Sequence, residues 1–380
     1  MAKEDKKDSF SLKDELFNRK KVTYLAELFK AKDKTFNASG FTRDVLKTLK
    51  SLELKERIVH IACTLEGYLD DDYRVTVKQI VAALPPPLDP KKTDDDFGDF
   101  IFAPLGEFIV RNGLSKKHLK LSLRALKELT QRFSMEDAIR AFINEYPKET
   151  MLELKKWSTD KNYHVRRLVS EGTRPLLPWS GRLSIDVFEP LPFLDVLHAD
   201  KTRYVTRSVA NHLNDIAKTH PKIVIKALKD WKRSGEQDTK EFEWMSKHAL
   251  RTLIKQGHPQ ALTFLGFRSN PKISVNEFKL VSPRIRPGTA LEFSFELKAL
   301  RSEALMVDYV IDFVKASGAL SPKVYKIKQL KLEKGETSAV TKRHALRANA
   351  TTYKLYPGTH YVTLQINGKQ LKKLPFEILK

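Results

Sequence analysis

The sequence predicts an α-helical repeat solenoid followed by an all-β sandwich, and three observations carry that expectation. Apolar residues recur at helical spacing up to about residue 268 and alternate with period two after it. A ten-residue stretch of the helical part returns at an offset of 40. Charge is uneven as well: residues 271–380 hold 20 Lys and Arg against 9 Asp and Glu, which is half of the chain's positive excess in under a third of its length.

Taken in order, residues 1–82 read as helices. Pro85-Pro86-Pro87 through Phe97 is a loop rich in Pro and Asp, and the apolar run Phe100–Val110, closed by Gly113, resumes the helices. The repeat follows. Asp160-Lys161-Asn162-Tyr163-His164-Val165-Arg166-Arg167-Leu168-Val169 aligns 40 residues on with Asp200-Lys201-Thr202-Arg203-Tyr204-Val205-Thr206-Arg207-Ser208-Val209. One further step reaches Met245, Lys247 and Ala249, and one step back reaches Ala125, Lys127 and Leu129. Met151–Trp157, Leu191–His198 and Lys222–Lys232 supply a first helix for each unit. Two helices per period of about 40 is the pattern of HEAT-like repeats, whose units bury their apolar faces only by stacking. The expected domain is a HEAT-like solenoid over 1–268.

Beyond it, Phe278–Val281, Leu291–Leu297, Val307–Val314, Val324–Leu332, Ser338–His344, Tyr353–Leu355 and Tyr361–Ile366 read as strands. Asn367-Gly368 makes a two-residue hairpin turn into Leu371–Leu379. This size and strand count fit an immunoglobulin-like β-sandwich over 271–380.

The chain carries 69 Lys and Arg against 47 Asp and Glu, a net charge of +22. A field of that sign concentrates polyanions, with nucleic acid first and an anionic membrane surface second. No apolar run is long enough to span a bilayer, and Met1–Lys7 lacks the apolar segment of a signal peptide. The single cysteine, Cys63, excludes an intrachain disulfide framework and fits a reducing compartment. The expected setting is cytoplasmic, with no membrane partner.

Register resolves part of the charge into a surface. Positions i, i+4 and i+7 on the second helix of each unit share a face. In unit order they read Lys127, Gln131, Ser134; Arg167, Glu171, Arg174; Arg207, Asn211, Asn214; and Lys247, Arg251. A cation heads each set, so the column is expected to follow a DNA backbone. Solvated helix faces are the plainer account of the same pattern.

No nucleotide-binding glycine loop, metal-spaced Cys/His cluster or nucleophile elbow is present. The unusual constellation is Arg166 through Trp179. Glu171 stands on the basic face between Arg167 and Arg174, and Gly172, Pro175 and Pro178 end the helix ahead of Trp179. A carboxylate, two guanidiniums and an indole at a helix end suit a cationic group beside a phosphate backbone; an ordinary surface ion pair and a core Trp would leave the same trace.

Three runs carry a family resemblance: Leu129–Arg140, His164–Pro175 and Ser208–Lys218. Together they resemble the AlkC branch of the HEAT-like alkylpurine DNA glycosylases, some of which end in an immunoglobulin-like domain. Ala141 and Leu176 depart from the Pro and Arg of that pattern. The resemblance implies a monofunctional glycosylase of base excision repair in the bacterial cytoplasm or nucleoid. It would hydrolyse the N-glycosidic bond of cationic alkylated bases such as 3-methyladenine and 3-methylcytosine, without deep base flipping. No cofactor or metal is implied. Double-stranded DNA is the partner, and a monomer is the expected form. Glu136 and Glu171 are carried over as the acidic pair and Trp179 as the indole against the lesion. Lys127, Arg140, Arg166, Arg167, Arg174, Arg207, Asn211 and Lys247 are the expected DNA contacts of the solenoid. Arg284 and Arg286, with Lys342, Arg343 and Arg347, are those of a sandwich that clamps the duplex. Tyr163 and Asp215 stand near the same face without an assigned role. The alternative is a non-catalytic HEAT-repeat DNA-binding protein.

Overall fold

The computed structural model describes residues 11–94, 96–348, 350 and 353–380. Among them are sixteen α-helices and eight strands. The helices are α1 (Leu12–Leu16), α2 (Arg19–Lys32), α3 (Ala38–Leu49), α4 (Leu54–Glu66), α5 (Tyr73–Ala83), α6 (Ala103–Gly113), α7 (Leu119–Leu129) and α8 (Glu136–Glu145). They continue as α9 (Pro147–Trp157), α10 (Tyr163–Gly172), α11 (Leu191–Leu197), α12 (Arg203–Ala217), α13 (Pro221–Ser234), α14 (Thr239–Ala249), α15 (Arg251–Lys255) and α16 (Pro259–Phe264). None is long and apolar enough to cross a membrane.

Local chemistry sets the helix starts. Asn18, Asn37, Asp72 and Asn162 each accept a backbone N–H of the turn they open. A reciprocal box between Glu53 and Glu56 begins α4, and Pro147 occupies the first turn of α9. Apolar residues of the second helices form the core. Leu123, Leu126, Val165, Leu168, Val169, Val205, Val209, Leu213 and Ile216 are each at most 2% exposed.

The chain divides into two compact units, residues 1–216 with 231–249, and residues 217–230 with 250–380. The second unit thus begins before the composition shift at 271, because α15 and α16 belong to it. Gln365 donates to the Lys255 carbonyl, and Asn367 to that of Arg268. Gly257 and Gly368, both at positive φ, bring two backbones so close that a Cβ on Gly368 would lie 2.1 Å from the Gly257 Cα.

The sandwich contains β1 (Ile273–Leu280), β2 (Arg284–Ile285), β3 (Ala290–Ala299), β4 (Glu303–Val314), β5 (Leu320–Leu332), β6 (Thr337–Ala345), β7 (Gly358–Ile366) and β8 (Lys369–Ile378). They form a three-stranded sheet, β1-β3-β6, and a five-stranded sheet, β2-β8-β7-β4-β5. The β7–β8 hairpin turns at Asn367-Gly368 as expected, both residues at positive φ. Two expectations need correction. Tyr353–Leu355 is not a strand, and Arg284–Ile285, outside every expected strand, form β2, which pairs in parallel with β8.

One buried charge in the sandwich has a measurable consequence. Burial pushes the Asp308 carboxyl up to about 6, against the pull of Lys326 and Lys255. A carboxyl whose folded value exceeds its unfolded value of 3.8 favours the fold while protonated. That contribution is complete below about pH 4 and lost as pH rises through 6. Asp308→Asn is therefore expected to melt above wild type at pH 8, with the difference closing toward pH 4. Coincident melting temperatures across that range would show that the carboxylate carries no such penalty.

Candidate active site

The site is built from one helix per repeat. α10 starts at Asn162, whose side chain accepts the His164 N–H at 2.8 Å, and ends at Gly172. A Cβ there would sit 2.5 Å from Ile139, so glycine lets α10 pass close to α8. Glu136 opens α8 and Glu171 lies in the last turn of α10. Arg167, 8% exposed at its side chain, reaches both: 2.7 Å to Glu136 Oε2 and 3.6 Å to Glu171 Oε2. Arg174 binds Glu171 Oε1 at 2.5 Å and Asp215 of α12 at 3.0 Å. Side chains therefore alternate in sign along Glu136, Arg167, Glu171, Arg174 and Asp215. Three carboxylates face two guanidiniums, a formal charge of −1 inside a strongly basic protein.

Hydroxyls complete the chain. Ser134 donates to Glu136 at 2.5 Å, and Ser208 to Glu171 at 2.6 Å. Arg167 also lies 4.5 Å from the ring centre of Tyr204 and 5.8 Å from that of Phe97. Burial works against the Arg167 charge, yet Tyr204, Glu136 and Glu171 hold its pKa above the usual range. For Glu171, burial alone would raise the pKa; Arg167, Arg174 and the Ser208 hydrogen bond bring it below the ordinary carboxylate range.

The two glutamates differ in access. Glu171 is 5% exposed at its side chain and Glu136 is 29% exposed. Glu136 lines a cleft of about 270 Å³ whose walls include Leu54, Lys55, Phe100, Phe133 and Trp179. Trp179 is 71% exposed and adopts φ +64°, a left-handed conformation that is strained for an aromatic residue. Its loop is pinned from below. Arg140 donates to the carbonyls of Gly172 at 3.1 Å, Arg174 at 2.7 Å and Gly181 at 2.6 Å. Ser180 binds Asp137 at 2.6 Å, and Lys55 donates to the Trp179 carbonyl.

Residues 274–380 match the family model described as "Uncharacterised protein YhaZ, C-terminal Ig-like domain". Over 368 residues the chain is 33% identical to the Bacillus subtilis protein named "Uncharacterized protein YhaZ", covering 96% of this chain and 98% of that one. The alkylpurine DNA glycosylase AlkC of Pseudomonas fluorescens, solved bound to DNA containing an abasic site analog, aligns at a TM-score of 0.87 with 33% identity. That match covers 98% of this chain and 100% of AlkC. The chain belongs to the YhaZ and AlkC family.

Within this family member the expected site residues separate into groups. Glu136, Glu171 and Asp215 come together in one charge chain, with Trp179 beside its open end. Cations of the basic column are met by carboxylates of the same chain. Lys127 holds Asp160 at 2.5 Å, Arg166 holds Asp200 at 2.5 Å, and Arg207 pairs with Asp94. Arg140, Arg167 and Arg174 are buried and bound inside the protein. Asn211 meets His248 at 2.9 Å. Lys247, Arg284 and Arg286 are exposed, and Arg284 lies 3.5 Å from Glu377. Tyr163 is buried, and its hydroxyl has no hydrogen-bond partner among the described residues.

Sequence reasoning passed over Ser208 and Tyr204. Ser208 had left a signal: it occupies, one repeat on, the register position of the core residue Leu168. Removing a guanidinium from the buried chain leaves carboxylates unmatched. Arg174→Met should cost about 3–5 kcal/mol of folding free energy, whereas Arg284→Met, in an exposed pair, should change it by about 1 kcal/mol or less. Urea unfolding of both variants measures this, and equal small losses would contradict the assigned pairing.

Proposed function

We propose that this chain is a DNA glycosylase that hydrolyses the N-glycosidic bond of cationic alkylated bases in duplex DNA. The observation that carries the reading is the gathering of carboxylates at the site. Glu136, Glu171 and Asp215 meet around buried guanidiniums, and Glu136 opens to a cleft beside an exposed indole within a chain of net charge +22. Phosphates are drawn by the surrounding field, while only a cation gains by approaching Glu136. The AlkC structure bound to DNA containing an abasic site analog supports the same reading.

A methylated, positively charged base departs as a neutral molecule, so its departure needs little proton donation. Positive charge then develops on the sugar, where a fixed carboxylate stabilises it. Glu136 is the carboxylate with access to such a sugar and to the attacking water. Glu171 sits behind it and sets the orientation of Arg167. Trp179 offers a ring face to the cationic lesion. Because the indole projects outward, the base is excised without deep extrusion. 3-Methyladenine and 3-methylcytosine are the proposed lesions, and a monomer is the proposed working form.

Release of free base from a duplex containing an N3-methylated purine tests the assignment. Glu136→Gln should lower the single-turnover rate by roughly 10²-fold with duplex binding retained, and Trp179→Ala by roughly tenfold. If wild type binds duplex DNA and releases no base, the protein is a binding module and the enzymatic reading fails.

The sandwich is proposed to add contacts through Arg284 and Arg286, which flank the buried Ile285 of β2. Replacing both by Ala should reduce the slope of log affinity against log salt by about 1–2. A slope equal to that of wild type would remove the sandwich from the interface.

A further inference from the structure

The loop between α5 and α6 lies along the column that register assigned to DNA. Its described residues, 85–94 and 96–99, reach three successive repeats. Arg132 donates to the Pro85 carbonyl at 2.8 Å, and the Leu88 N–H to Gln131 at 2.9 Å, both at the end of α7. Farther on, Asp94 pairs with Arg207 and the Thr93 carbonyl accepts the Tyr204 N–H at 2.9 Å, both on α12. Phe97 then lies against Tyr204 and Arg167, and Gly98 bridges back to Phe133. Gln131, Arg167 and Arg207 are three of the column positions.

A second observation concerns what lies beneath. The hydroxyls of Tyr163 and Tyr204 and Nε2 of His164 are buried without a hydrogen-bond partner among the described residues. The rings of Tyr163, His164 and Tyr204 pack on one another, with centroids 4.1–6.0 Å apart. A covered surface that leaves donors unsatisfied loses hydration without compensation. Phenolic hydroxyls and a guanidinium both suit phosphodiester oxygens, and Arg207 lies three residues beyond Tyr204 on α12.

We propose that this loop is an acidic strap that imitates DNA phosphate: it covers a phosphodiester subsite formed by Arg207, Tyr163 and Tyr204, and the duplex backbone displaces it. Carboxylate and phosphate compete for the same guanidinium, so the strap weakens engagement of any duplex that cannot supply phosphates in this register. The proposal rests on the DNA-binding part of the function proposed above and is independent of catalysis.

Two measurements on the full-length protein test it, using an undamaged duplex of about 20 base pairs. The triple variant Asp89→Asn, Asp94→Asn, Asp96→Asn should bind about tenfold tighter than wild type. A control neutralising the exposed Asp71, Glu27 and Glu236 should gain less than about twofold. In wild type, saturating duplex should speed amide hydrogen exchange at Leu88, whose N–H is held by Gln131 in the closed strap. Equal gains in the triple variant and the control, or slower exchange at Leu88 on binding, would overturn the strap while leaving the DNA-binding reading intact. If neither wild type nor variant binds duplex, both readings fall together.

Discussion

The guanidinium of Arg167 has almost no route to solvent, so its charge must be met within the protein. Two carboxylates from two helices, Glu136 and Glu171, meet it, and the Tyr204 ring closes the remaining side. Everything distinctive about the site follows from that requirement. α8, α10 and α12 are held together by charges as well as by their apolar faces. Glu136 keeps one side free because Arg167 and Ser134 occupy the other. Glu171 stays ionised in a buried position because a second guanidinium, Arg174, shares it. Buried ion pairs contribute little net stability compared with a well-packed apolar core. What they supply is fixed geometry and fixed sign.

Two length scales of electrostatics coexist. The net charge acts over the Debye length of about 10 Å at 0.1 M salt and favours polyanions without distinguishing among them. Inside the repeats, desolvated contacts of 2.5–3.6 Å escape that screening and fix which charges face one another.

Much of this was legible in the sequence, for physical reasons that also mark the limits. Period-40 register placed the core residues of α7, α10 and α12, because stacking repeats each other's burial. Alternation and the Asn367-Gly368 turn placed β7 and β8. Residue identities carried by a family resemblance brought Glu136, Glu171 and Trp179 together before any geometry was known. Charge pairing was not legible. Arg207 finds Asp94 across 113 residues, and no periodicity links them. Helical register assigns cations to a face of each helix, but it says nothing of which acids another segment brings to them. β2 escaped notice because two residues between prolines are too short to alternate. Arg140 looked like a surface cation because its partners are main-chain carbonyls, which every sequence possesses.

That last arrangement separates aim from identity at Trp179. The direction of residue 179 is set by the backbone, through three carbonyls held by Arg140 and a left-handed φ, and owes little to packing of the indole itself. A different ring at this position would point the same way. A change in what the loop presents then needs only a single codon, with the scaffold that points it left intact. Changing the direction would require dismantling a buried guanidinium. The two properties have very different tolerance to mutation: the tip of the loop is free to vary, and its base is not.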